Sequence, residues 1–383
     1  MVTSARRRRA GSEEEAEGLA EEGLAFRFVR RAKLDSTRVM KMTGDRAASV
    51  KGYISTQIAN LDAAIGKPGI PIGRVTLIVG ETSVGKTTLT YHLMGEVQRM
   101  GGWALYIDGE AAALDAQRAK TCGADPEQIA VDEPDFLEQA FEDIEAVLDA
   151  LLAEKDASNS FGLIILDSVA GLPPQAEFEG DLSDHTVGLH ARAMKKVARR
   201  LMKKVAEAQV ALVIINQWTD RIGASPFEKK RTMPAERACT YMASLHLELT
   251  RGQALKQGDS GEEWGVITHV KVEKNKIARP HRRADMVVDF ENGLDIYEGL
   301  LVAGEKAGVI SKNGGWYTIA GTDTKFQASK WEATLQKNPH LPVQILSALE
   351  IGSYHPDARL MHLFDDESVS ITEESPDAVE ALA

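Results

Sequence analysis

The chain has 383 residues, 43% hydrophobic and 27% charged, with a formal net charge of −12, enough apolar material for one large core and a smaller satellite domain. Its longest apolar runs, such as Val210–Ile215, are too short to cross a bilayer. Arg6–Arg9 lead into Gly11-Ser12-Glu13-Glu14-Glu15 rather than an apolar signal segment, so a cytoplasmic protein without membrane contact is expected.

Residues 1–25 are polar and read as a charged disordered tail, with Glu13–Glu22 as an acidic stretch. Residues 26–52 mix basic and apolar positions, as an N-terminal arm would. A main domain, 53–296, then opens with the β-rich run Arg74–Val79. Thr87–Met100 reads as helix, Trp103–Ile107 as strand, Asp135–Leu152 as helix and Leu163–Leu166 as strand. Leu189–Ala208 reads as helix and Ala211–Ile215 as strand. Short apolar strands alternating with amphipathic helices predict an α/β fold, a mostly parallel sheet covered on both faces. Ser244–Leu249 and Thr268–Glu273 read as antiparallel additions. From Tyr297 the pattern changes to short helices and turns, with Asn313-Gly314-Gly315 as a turn signal, predicting a small α+β domain over 297–350. The remainder, 351–383, reads as an acidic tail carrying Asp365-Asp366-Glu367 and Glu373-Glu374. Cys122 and Cys239 lack metal-ligand spacing and read as reduced thiols.

Gly80-Glu81-Thr82-Ser83-Val84-Gly85-Lys86-Thr87 fits the phosphate-loop pattern G-x-x-x-x-G-K-[ST] without a mismatch, between a strand and a helix. Glycines let the backbone wrap phosphates, and N–H groups at the helix start point inward. Gly80 to Thr88 are therefore the expected nucleotide-binding residues, with Lys86 on the β- and γ-phosphates and Thr87 on Mg²⁺. Leu163-Ile164-Ile165-Leu166-Asp167 ends an apolar strand in a carboxylate, placing Asp167 as the second metal-holding group. Hydrolysis also needs a group that positions water. Glu110, in Asp108-Gly109-Glu110 at the end of a strand, is the candidate, with Asp108 as the weaker alternative.

Further motifs go beyond a phosphate loop. Ile54-Ser55-Thr56, Leu61-Asp62, Pro71-Ile72-Gly73-Arg74 and Asp167-Ser168-Val169-Ala170 follow one another along the chain. So do Glu177-Phe178-Glu179-Gly180, Gly188–Arg192, Ile215-Asn216-Gln217, Lys274-Asn275-Lys276-Ile277-Ala278 and Gly315-Trp316-Tyr317. In this order, over roughly Val39–Pro339, the chain resembles the bacterial RecA recombinases. The resemblance implies a RecA-like core, a homo-oligomeric helical filament on single-stranded DNA, and ATP bound between subunits. It implies that Glu110 is the catalytic glutamate and that Gln217 senses the γ-phosphate and signals to a DNA loop. It also implies that Lys274 and Lys276 reach a neighbour's γ-phosphate, as an arginine finger does in trans. Phe26–Met42 resembles the segment by which a subunit docks on its neighbour.

Two segments resemble the family's DNA loops, Glu179–Gly188 and about Trp218–Tyr241. Arg192, Lys195, Lys196, Arg199, Arg200, Lys203 and Lys204 recur at helical spacing on one face. Arg192, Lys195, Lys196 and Arg199, with Lys229, Lys230 and Arg231 of the second loop, are the expected DNA contacts. Arg279, Arg282 and Arg283 form a third basic cluster. The chain also departs from the family. Its second loop is basic and proline-flanked where the family's is rich in glycine and threonine, and one extra residue falls in Ala111-Ala112-Ala113. Arg118 stands at the position of the family's adenine-stacking aromatic; arginine can stack on a base. These departures suggest a divergent member, of phage or mobile-element type.

The sequence thus predicts an ATP-dependent recombinase, with ATP and Mg²⁺ as cofactors, that pairs single-stranded DNA with homologous duplex. The alternative is a regulatory or structural filament protein that binds ATP and DNA without strand exchange.

Overall fold

The computed structural model describes position 32 and residues 50–111, 114–154, 161–180, 189–220, 231–257, 261–356 and 358–362. The side chains at 191–193, 195, 196, 361 and 362 lie outside that description. Val50 onward forms one compact unit. The expected tail 1–25, most of the arm 26–52 and the acidic stretches beyond 362 lie outside the described residues, as do the first DNA loop from 181 to 188 and the span 221–230 of the second.

The strands of the core are β3 (Val75–Gly80), β4 (Trp103–Asp108), β5 (Ile129–Asp132), β6 (Gly162–Asp167), β7 (Val210–Gln217), β10 (Leu245–Gln257), β11 (Glu262–Asn275), β12 (Arg283–Asp289) and β13 (Gly293–Leu294). They form one nine-stranded sheet in the order β13-β12-β11-β10-β3-β7-β6-β4-β5. Every pairing from β10 through to β5 is parallel, and those among β10, β11, β12 and β13 are antiparallel. Ser244–Leu249 therefore corrects its expectation in part. It lies parallel to β3 and is antiparallel only to β11. The hairpin signal came from its chain neighbour, and sequence carries no mark of the strand on its other side.

Alternation along the buried strands divides the core. Val75, Leu77 and Val79 of β3 face one cluster with Leu105, Ile107, Leu166 and Ile214, covered by α4 (Leu137–Ala153), α6 (Leu189–Glu207) and α7 (Glu236–Met242). Ile78, Tyr106, Leu163, Ile165 and Val213 face the other, covered by α1 (Ala59–Ile65), α2 (Lys86–Arg99) and α8 (Ile296–Lys306). Both faces being buried makes these strands read as continuous apolar runs.

After α8, the strands β14 (Ile310–Asn313), β15 (Trp316–Ile319) and β16 (Lys325–Phe326) form a small antiparallel sheet beside α9 (Trp331–Lys337) and α10 (Leu341–Ala348). Phe326 stacks between Tyr317 and Trp331, with ring centroids 5.4 and 5.2 Å away. This region shares its core with α8, because Ile310, Tyr317 and Leu335 cluster with Leu300 and Leu301. The packed chain also runs past 350, since Ile351, Ala358 and Leu360 are buried. Among the described residues no helix is long and apolar enough to cross a membrane.

Candidate active site

Sheet register assembles the site. Gly80 pairs with Gln217 and Asp108 with Asp167, so the carboxyl ends of β3, β7, β4 and β6 meet along one edge. In a parallel sheet that edge is where ligands bind. Between β3 and α2 the chain turns through Ser83 and Gly85, both with positive φ (59° and 84°). A Cβ on Gly85 would lie 2.7 Å from Val288 Cγ2, so glycine is required there both for its backbone angle and for space. Val84 is buried, and its carbonyl accepts from Thr268 Oγ1 at 3.0 Å, which fixes the loop's middle to β11. Thr82 and Ser83 are exposed at the tip, and Thr88 is buried under it. No side chain caps α2 at Gly85, so its first N–H groups remain available to an anion.

Lys86 is buried, and its Nζ donates to the carbonyls of Glu81 at 2.6 Å and Gly80 at 3.3 Å. Burial pushes its pKa down, while the carboxylates of Asp167, Glu110 and Glu81 act to keep it charged. Thr87 Oγ1 and Tyr106 OH both donate to Asp167 Oδ2, at 2.8 Å each. Burial raises the Asp167 pKa. The bonds from Thr87 and Tyr106 and the charge of Lys86 lower it, and the charge of Glu110 raises it further. Burial also pushes Tyr106 well above the ordinary phenol value, so it stays a donor. Sequence reasoning passed over Tyr106, although strand alternation puts it on the face of Asp108.

Asp108 is buried, and its Oδ1 accepts from the N–H groups of Glu110 and Ala111 at 2.9 and 3.0 Å. It shapes the turn that presents Glu110. Glu110 Oε1 accepts from Ser168 Oγ at 2.8 Å and from Gln217 Nε2 at 2.5 Å. Ser168 follows Asp167 at the end of β6, so β6 and β7 each lend the glutamate one donor.

Other predicted residues fall elsewhere. Arg118 is held through the N–H groups along its guanidinium edge. It donates to the carbonyls of Phe290 and Asp289 and to Thr88 Oγ1, the last two at 3.3 Å. The partly exposed ring of Phe290 lies at the same turn and is a further aromatic candidate that the sequence reading missed. Lys274 pairs in register with His246, and its Nζ donates to the Thr240 carbonyl at 2.5 Å. Lys276 follows the end of β11, and its N–H donates to the Ser244 carbonyl. Neither lysine is at its own phosphate loop: Lys274 is level with Leu77, three rungs before Gly80, about 10 Å along the sheet and two strands across.

The helix α6 carries the expected basic stripe, but its latter half is neutralised from α4. Arg200 meets Glu145 at 2.6 Å, and Lys204 meets Glu145 and Asp149 at 2.9 and 2.7 Å. Arg199 is exposed. The side chains of Arg192, Lys195 and Lys196, and all of Lys229 and Lys230, lie outside the described residues. Arg231, although exposed, is paired with the phosphate loop: its Nη1 lies 2.5 Å from Glu81 Oε1.

A phosphate loop, a facing strand-end aspartate and a glutamate held beside them define a nucleotide-binding protein of the P-loop α/β class. The RecA N-terminal domain family matches residues 29–295. The chain is 36% identical over 307 residues to the protein RecA of Campylobacter jejuni subsp. doylei, covering 80% of this chain and 86% of that one. It is 32% identical over 343 residues to the protein RecA of Clostridium perfringens, covering 90% and 92%. The chain belongs to the RecA family.

Proposed function

We propose that this protein is an ATP-dependent DNA recombinase that assembles as a filament on single-stranded DNA and pairs it with homologous duplex. Family membership supports the overall activity. The observation that carries the mechanism is the bond from Gln217 to Glu110. It ties the carboxylate beside the phosphate loop to the residue from which the second loop departs.

In this reading the phosphate loop and the start of α2 bind the triphosphate, and Lys86 neutralises it. Thr87 and Asp167 offer a hydroxyl and a carboxylate on one spot, a hard-oxygen set suited to Mg²⁺ with phosphate oxygens completing it. Such an ion would neutralise charge on the phosphates. Glu110, oriented by Ser168 and Gln217, accepts a proton from water as the water oxygen bonds to the γ-phosphorus and the bond to ADP breaks. Lys274 and Lys276 act on a neighbour's nucleotide, which fits their distance from their own loop. The strand β5 has no second neighbour among the described residues, so its edge is open to an extended segment of another subunit, for which Phe26–Met42 is the candidate. Arg199, with Arg192, Lys195, Lys196, Lys229 and Lys230, supplies sequence-independent contacts to DNA phosphates.

Strand exchange between circular single-stranded DNA and homologous linear duplex tests this reading. Joint molecules should form with ATP and not with ADP. Filaments on DNA that never yield joint molecules would overturn recombinase activity.

A further inference from the structure

Arg231 was expected among the DNA contacts, yet its guanidinium is seated on the nucleotide site. We propose that Arg231 is a phosphate-sensing residue of its own subunit's ATP site, held by Glu81 until a triphosphate competes for it. The proposal rests on the nucleotide-site reading above and adds a residue to it.

The stem of the second loop is a two-stranded ribbon of β8 (Thr219–Asp220) and β9 (Arg231–Thr232), with Thr219 opposite Thr232 and Asp220 opposite Arg231. Thr219 Oγ1 donates to the Thr232 carbonyl at 3.1 Å, which helps to close the ribbon. The ribbon is fixed to the phosphate loop at its base, where the Trp218 N–H donates to the Gly80 carbonyl at 3.4 Å. Arg231 adds a second tie. Its Nη1 reaches Glu81 Oε1 at 2.5 Å, and its Nε lies 3.8 Å from Asp220 Oδ1.

Glu81 is itself coupled to the phosphate-binding lysine. Its carbonyl accepts from Lys86 Nζ, and its carboxylate is one of the three that act to keep Lys86 charged. One loop carboxylate thus serves two cations, Lys86 and Arg231, at the place where nucleotide phosphates bind. The Arg231–Glu81 pair is partly exposed on both sides. An ion pair of that kind contributes little by itself and is cheap to break. A triphosphate brings several negative charges and a set of oxygens matched to a guanidinium fork, so it outcompetes a single carboxylate.

The stem departs from the end of β7, where the amide of Gln217 holds the water-positioning Glu110. The ribbon that carries Arg231 thus adjoins the strand end that holds Glu110, and the group Arg231 senses in this reading is the one that ADP lacks. Because a guanidinium drawn from Glu81 to a γ-phosphate carries β9 with it, nucleotide state and ribbon position are thermodynamically linked.

The test is nucleotide binding by the full-length protein without DNA, using a non-hydrolysable ATP analogue and ADP, followed by calorimetry. Arg231→Gln should weaken the analogue about tenfold, the loss of one charge-assisted hydrogen bond, and change ADP by less than about twofold. Glu81→Gln should tighten the analogue by freeing Arg231, and that gain should vanish in the Glu81→Gln/Arg231→Gln double variant. Removing a carboxylate also relieves repulsion, but that gain would persist without Arg231. Equal effects of Arg231→Gln on both nucleotides, or a Glu81→Gln gain that survives in the double variant, would overturn the proposal. So would a shallower salt dependence of single-stranded DNA binding in Arg231→Gln, which would put the guanidinium on DNA. If the unaltered protein binds neither nucleotide, it is the nucleotide-site reading that fails.

Discussion

Gln217 Nε2 donates to Glu110 Oε1 at 2.5 Å across 107 positions of sequence. The same oxygen accepts from Ser168 Oγ at 2.8 Å. A carboxylate held by two donors on one oxygen has a fixed orientation, and one of those donors leads directly into the second loop.

Gln217→Ala should therefore separate nucleotide binding from turnover. Affinity for an ATP analogue should stay within about threefold, because the phosphate loop is intact. The DNA-stimulated kcat should fall by more than about tenfold, the order expected when a water-positioning group loses its orientation. Steady-state ATPase with and without single-stranded DNA measures both. Undiminished stimulation by DNA would show that the bond transmits nothing.

Lys86→Ala should reduce hydrolysis to background. Lys86 is buried among the Gly80 and Glu81 carbonyls and three carboxylates. Removing it leaves Asp167, Glu110 and Glu81 to repel the incoming phosphates. Retained turnover with saturating single-stranded DNA would place the site elsewhere.

The phosphate loop, Asp167 and Glu110 were legible because their chemistry is local: a spacing, a strand that ends in a carboxylate, a turn. The alternation of strand and helix carried the parallel core for the same reason. What sequence did not carry was lateral. That Ser244–Leu249 lies beside β3, that Ser168 meets Glu110, and that Arg231 meets Glu81 are all contacts between segments distant in sequence. The basic stripe of α6 was legible as a face and not in its partners. Helical spacing located its face but could not show that Glu145 and Asp149 of α4 lie against Arg200 and Lys204.

His92 makes folding stability sensitive to acid. Leu294 N donates to its Nε2 at 3.0 Å, so the ring is neutral, with its proton on Nδ1 facing Gln57 Oε1 at 2.8 Å. Burial, aided by the charges of Arg359, Arg99 and Arg118, pushes its pKa down to about 3. Between the ordinary 6.5 and that value the unfolded chain takes a proton that the folded ring refuses. The contribution of His92 is therefore full above pH 6.5 and falls as pH drops, by about 1.4 kcal/mol per unit. Asp62 works in the opposite sense, since burial raises it to about 7 against bonds from Thr56 and Ser55. The unaltered protein thus masks the slope, and the comparison with His92→Gln isolates it. From urea midpoints at several pH values, the stability difference between the two should shift toward the variant by about that slope per unit below pH 6.5. A pH-independent difference would mean the ring is not held neutral.

Lys274 and Lys276 should act across a subunit boundary. Lys274 pairs with His246, level with Leu77 of β3, and is tethered to the Thr240 carbonyl. Both lysines thus lie away from their own phosphate loop, and a role in hydrolysis requires a neighbour's nucleotide. Two defective proteins expose this. Glu110→Gln keeps the loop and both lysines but cannot take a proton from water. Lys274→Ala/Lys276→Ala keeps its own loop and glutamate but offers a neighbour no charge. Each alone should be nearly inactive as an ATPase. In a randomly mixed equimolar filament, head-to-tail packing gives every interface two different sides, so about one interface in four joins an intact pocket to intact lysines. Hydrolysis should then recover to roughly a quarter of the unaltered rate. Energy transfer between labelled subunits checks that the variants co-assemble. If mixed filaments form and the rate remains the sum of the two variants alone, the lysines do not act in trans, and the hydrogen bonds they make within their own subunit are their whole role.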